Sequence, residues 1–166
     1  MFDKIIEAIE KFEKAGVEPS KILVSLTGVE RSVLNVLIAY EQAMNPNEIR
    51  NVLILDVVAY LLSLCGRGFK GYKLKYWRGE FHYPLNEKEV LKALGKNVQP
   101  TTQKQFEEDA KILKKYGIAN IPDYRTIERI LRELELMGVV ISREEVGKAK
   151  RVYFINPLFL EKIKKA

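Results

Sequence analysis

The chain has 166 residues, enough for one domain or one small domain with an extension. Its 47% hydrophobic content supports a packed core and argues against intrinsic disorder, and its single cysteine excludes an internal disulfide, in keeping with a reducing cytoplasm. The net charge of +6 leans toward a polyanionic partner, and it is unevenly spread: residues 1–66 carry six Lys/Arg against nine Asp/Glu, residues 67–104 nine against three, and residues 123–166 ten against seven.

Asp3, Glu7 and Glu10 break up the start of the chain, so no secretory leader is expected there. Residues 3–15 read as an amphipathic helix with Ile5, Ile9 and Phe12 on one face, closed by Gly16, and residues 19–26 give a short second helix. Residues 1–28 are thus expected to form a helical extension ahead of a domain at 29–166. Residues 30–44 predict a third helix that buries Val33, Leu34, Leu37 and Ile38. Asn45-Pro46-Asn47-Glu48 combines an N-cap Asn, Pro at the first helical position and Glu at the third, and it opens a long helix to about Leu64. Residues 52–65 are strongly apolar but contain Asp56 and fall short of the roughly 20 residues that a bilayer requires. A buried core helix is expected, with no membrane partner, and Asp56 is expected to pair with a nearby Lys or Arg.

The glycines of Gly66-Arg67-Gly68-Phe69-Lys70-Gly71 are wrongly spaced for a phosphate-binding loop, and no helix begins after them. Residues 73–83 predict a β-hairpin about Arg78-Gly79, with Tyr72, Leu74 and Tyr76 alternating against Lys73, Lys75 and Trp77. This basic insert, at about 66–98, suits a nucleic-acid surface on which rings stack and Lys73, Lys75 and Arg78 meet phosphates; a ribbon with its aromatics packed inward fits the same pattern. Asn86 and Glu89 open another helix to Leu94, and Thr102 with Gln105 forms a capping box for a helix ending at Gly117. Across 29–84 helices also precede a hairpin, but the helix that would face DNA there, at 55–64, is too apolar for that role.

Residues 118–122 lead into the next helix, at 123–139. There Ile127, Ile130, Leu131, Leu134 and Met137 form an apolar stripe, and Arg125, Arg129 and Arg132 share another face, interrupted by Glu128, Glu133 and Glu135. Gly138 can take the left-handed conformation that ends a helix. Two β-forming runs follow, at 139–141 and 152–155, around a wing at 142–151 with Gly147 at its turn and Arg143, Lys148, Lys150 and Arg151 for charge. Pro157 starts a last short helix.

Phe106-Glu-Glu-Asp-Ala-Lys-Ile-Leu-Lys-Lys-Tyr116-Gly117, then Tyr124-Arg-Thr-Ile-Glu-Arg-Ile-Leu-Arg-Glu-Leu-Glu-Leu-Met-Gly138-Val-Val and a basic wing, resembles the C-terminal winged helix of the archaeal origin-recognition and cell-division-control replication initiators. The resemblance covers roughly the last third of the chain. Its Leu131, Leu134, Gly138 and Val139 pattern is shared with many winged-helix transcription regulators. It implies a mainly α fold with small β-hairpins, a winged helix-turn-helix with an N-terminal helical extension and an inserted hairpin. It also implies double-stranded DNA as partner, in replication initiation or transcription regulation. Tyr124, Arg125, Thr126, Arg129 and Arg132 would enter the major groove, and Arg143, Lys148, Lys150 and Arg151 would lie on the backbone. The initiators' nucleotide motif, Gly-x-x-x-x-Gly-Lys-Ser/Thr, is missing from this sequence, so motor activity is not implied. With one histidine (His82), Cys65 far from it and no paired-carboxylate motif, neither a metal, a cofactor nor an enzymatic activity is expected. Two other expectations are a winged-helix protein-interaction module, with homodimerisation through the acidic N-terminal helices, and single-strand binding through Tyr72, Tyr76 and Trp77.

Overall fold

Side-chain caps mark where several of the helices begin. The computed structural model describes residues 7, 10, 14, 16, 18–66, 71–81, 86–95, 100–145, 147 and 151–165. In chain order these form α1 (Pro19–Ser25), α2 (Gly28–Tyr40), α3 (Pro46–Leu64), α4 (Glu87–Leu94), α5 (Gln103–Lys115), α6 (Tyr124–Leu136), β1 (Val140–Glu144), β2 (Arg151–Ile155) and α7 (Pro157–Lys165). Thr27 with Glu30, Asn45 with Glu48, and Thr102 with Gln105 make reciprocal capping boxes for α2, α3 and α5. The expected helix at 3–15 lies outside the described residues except for Glu7, Glu10 and Lys14, which are helical and exposed; His82, Lys148 and Lys150 lie outside them too.

The protein is mainly helical with one small antiparallel ribbon. Helices α2, α3 and α6 pack on one another, β2 lies against α2, α5 bridges α3 and α4, and α1 rests on α7. β1 pairs with β2 from Val140 opposite Ile155 to Glu144 opposite Arg151. Val33, Leu37, Leu53, Val57, Ile127 and Leu131 are among the fully buried side chains of a single apolar cluster that also takes in Ile22 and Leu26, so α1 belongs to the core. Asn156 closes the base of the ribbon: its Nδ2 donates to Gly138 O at 2.8 Å and its Oδ1 accepts Leu158 N at 3.0 Å. No helix among the described residues is long and apolar enough to cross a membrane.

Three expectations are corrected. The helix predicted over 30–44 ends at Tyr40, where Glu41 turns left-handed at φ 50°, and Met44 joins the ribbon instead. Its N donates to Tyr153 O at 2.9 Å and its O accepts Tyr153 N at 2.8 Å, which adds a one-residue third strand beside β2. No hairpin forms across 71–81. Finally, buried Asp56 on α3 meets no cation among the described residues. Its Oδ1 accepts the Tyr72 hydroxyl and Lys75 N (3.2 Å), and its Oδ2 accepts Tyr76 N (3.0 Å) and Trp77 N (2.7 Å).

That carboxylate draws residues 72–77 into a strap across α2 and α3. Backbone N–H groups that a hairpin would spend on a partner strand are spent on Asp56. Trp77, expected beside the lysines, is 3% exposed and belongs to the core, which removes it as a stacking surface for single strands. Arg78 N donates to Ser32 Oγ at 2.6 Å, and a Cβ on Gly28 would strike the Arg78 carbonyl, as one on Gly79 would strike the Trp77 ring. The Tyr72 phenol is pushed well above its ordinary pKa, first by burial and then by its bond to Asp56, so it stays a donor at any physiological pH.

Asp56→Ala leaves three backbone donors without their acceptor and should lower unfolding stability by about 3 kcal/mol, read from urea titration. Native-state Trp77 emission should shift red as the strap loosens. An unchanged midpoint would show that the strap is held by packing alone.

Candidate nucleic-acid interface

The start of α6 is fixed from two sides. Asp123 Oδ1 accepts Thr126 N at 2.9 Å and caps the helix. From α3, buried Arg50 donates through Nε to Pro122 O at 2.9 Å and through Nη1 to Glu107 on α5, so one guanidinium ties the turn before α6 to α5. Burial of Ile127, Ile130, Leu131 and Leu134 then forces the other face of α6, with Arg125, Arg129, Arg132, Glu133 and Leu136, toward solvent.

The expected site residues divide by partner. Arg125 and Arg129 are exposed and enter no salt bridge or hydrogen bond among the described residues. Thr126 is half-buried and lines a groove beside Arg129. Arg132 keeps 66% of its side chain exposed but is engaged with Glu128 one turn back and with the Tyr153 hydroxyl of β2. Tyr124 faces the same Glu128; burial first, and then that carboxylate, raises its phenol above the ordinary value. Arg132 therefore joins α6 to the ribbon, Tyr124 is held to Glu128 within α6, and both are less available to a ligand than Arg125 and Arg129.

On the ribbon, the Arg143 guanidinium lies 5.9 Å from the Phe154 ring centroid, while Arg151 donates to Ser142 Oγ at 2.7 Å and reaches Glu144 at 3.5 Å. Gly147, at φ 79°, is in the left-handed region expected of the turn. Lys73, Lys75 and Arg78 are exposed on the strap; Lys75 Nζ is 5.2 Å from the Tyr72 ring centroid, and Arg78 Nη1 bonds the carbonyls of Leu74 (3.4 Å) and Trp77 (3.3 Å).

Sequence reasoning passed over Lys111 and Lys114. Three residues apart on α5, they share a face that looks across an open groove of about 770 Å³ toward Thr126 and Arg129. Their spacing was visible, but nothing local said that this face of α5 would lie opposite α6. Among the described residues no cluster of His, Cys, Asp and Glu could hold a metal ion. No protein-family model matches the chain, and no curated protein or solved structure matches it either.

The Thr126 N–H holds the Asp123 carboxyl below its ordinary pKa. A carboxyl depressed in the folded state stabilises above its unfolded value, about pH 4, and that contribution fades as acid carries the pH through the depressed one. Asp123→Ala should cost about 1 kcal/mol at neutral pH, while Asp123→Asn keeps a cap and flattens the acid limb. Urea midpoints followed from neutral pH into acid read both effects; an Asn variant as acid-sensitive as the parent would contradict this role.

Proposed function

We propose that the protein binds duplex DNA as a winged helix, with α6 as the recognition helix. The parts are α2, the Met44 bridge, α3, α6 and the β1–β2 ribbon, with residues 65–123 as an insert carrying the strap, α4 and α5. One observation carries this assignment: the first half of α6 presents Arg125 and Arg129 to solvent, with no salt bridge or side-chain hydrogen bond among the described residues, from a helix whose opposite face is locked in the core.

A B-form major groove, about 12 Å wide, admits one α-helix. A guanidinium held on its exposed face can bond guanine O6 and N7 as a pair or clasp a phosphate. In this mechanism Arg125 and Arg129 reach base edges or phosphates, and the ribbon, through Arg143 and Arg151, follows the backbone. Binding itself is the function, without a catalytic step, in the cytoplasm. The resemblance to archaeal initiators points to replication, and the pattern shared with regulators points to transcription.

A second reading has its own observation. Leu136 is 76% exposed at the carboxyl end of α6, next to Glu133, an acidic and apolar end that suits a protein partner or a second copy of this chain.

If about six phosphates are neutralised, duplex affinity should fall by about a thousandfold between roughly 50 and 200 mM salt. Arg129→Ala should relax base preference by about 1–3 kcal/mol if that side chain reads a base. Gel-shift and anisotropy titrations measure both. No complex with random duplex at micromolar protein and low salt would overturn the proposal in favour of the protein-partner reading.

A further inference from the structure

The groove beside Arg129 does not end there. A second trough, of about 470 Å³, shares Thr27, Val29 and Asn120 with it and runs to Arg78 on the strap. Both are open along one side, which suits an extended polymer better than a small ligand, whose pocket would enclose most of its surface.

Five carboxylates and five cations line this track, so its formal charge is balanced, and what differs is where the charged groups are turned. Glu107 is paired with Arg50, Glu30 accepts Thr27 N at 2.8 Å in the α2 capping box, and Asp123 accepts Thr126 N. That leaves Glu133 and Glu80 beside Lys111, Lys114, Arg129 and Arg78, and none of these four cations enters an ion pair among the described residues. Lys111 and Lys114, an i and i+3 pair with Cβ atoms about 5–6 Å apart, are placed to meet neighbouring phosphates of one strand.

We propose that this track holds a sugar–phosphate backbone of the duplex that α6 engages, so that the inserted helix α5, through Lys111 and Lys114, and the strap, through Arg78, extend the footprint beyond α6 and the ribbon. The inference rests on duplex binding by α6 and adds to it a second, sequence-independent set of contacts. A duplex is favoured over an acidic polypeptide because the track is continuous with the Arg129 face of α6.

The test is the salt slope of binding, measured with the full chain and a labelled random-sequence duplex. Each lost phosphate contact removes about 0.9 from the slope of log affinity against log salt. Lys111→Gln with Lys114→Gln should lower it by about 1.8, and adding Arg78→Gln by about 0.9 more, with base preference unchanged. Lys→Arg replacements should restore the parent slope. Glu133→Gln should tighten duplex binding severalfold, an outcome that a misfolded variant cannot imitate. If the parent binds duplex and the lysine pair leaves slope and affinity unaltered, the track is empty in the complex; this inference falls and duplex binding by α6 stands. If the parent binds no duplex, both fall. If the lysine pair abolishes binding of polyglutamate and leaves the duplex slope untouched, the track belongs to an acidic polypeptide and the proposal is overturned.

Discussion

A single buried carboxylate organises much of this molecule. Asp56 sits in the middle of the most apolar helix, where its desolvation is costly unless its oxygens are satisfied, and four donors from residues 72–77 satisfy them. The strap is thereby fastened to α3, Trp77 is driven into the core, and Arg78 is delivered to the edge of α2 through Ser32. Arg50, on the same helix, does the corresponding work for the turn before α6. One acid and one base on α3 thus fix the two irregular stretches that flank the groove.

The surface that results owes its character to which charges are already engaged. Arg50, Arg132 and Arg151 each have an acceptor inside the protein. Arg125, Arg129, Lys111 and Lys114 enter no ion pair among the described residues, and their neighbouring carboxylates are held mainly by helix caps or by Arg50. A net charge of +6 spread evenly would say little; here Lys111, Lys114 and Arg129 line one open groove whose carboxylates, Glu133 apart, are turned to helix caps or to Arg50.

Local signals were legible and remote ones were not. Thr102, Asn45 and Asp123 announce helix starts because a cap is chemistry within three residues, and the stripe from Ile127 to Leu134 announces the buried face of α6 because periodicity is local. The ribbon around Gly147 follows from β-forming runs on either side of a turn. By contrast, Tyr72 to Trp77 alternates as a strand should, yet its backbone is claimed by a carboxylate some twenty residues earlier. Met44 carries helical periodicity but is taken by Tyr153, more than a hundred residues away. The same holds for the site: the arginine face of α6 was readable, whereas the commitment of Arg132 to Tyr153 and the facing of Lys111 and Lys114 across the groove arise only when distant elements meet.

The central claim is that the exposed face of α6 enters duplex DNA. Titrating isotope-labelled protein with duplex and following its backbone amide and arginine side-chain resonances tests it most directly. The largest shifts should fall on residues 123–136, with the Arg125 and Arg129 guanidinium signals moving early and together. Shifts confined to α1 and α7, or none at all at saturating duplex, would contradict it.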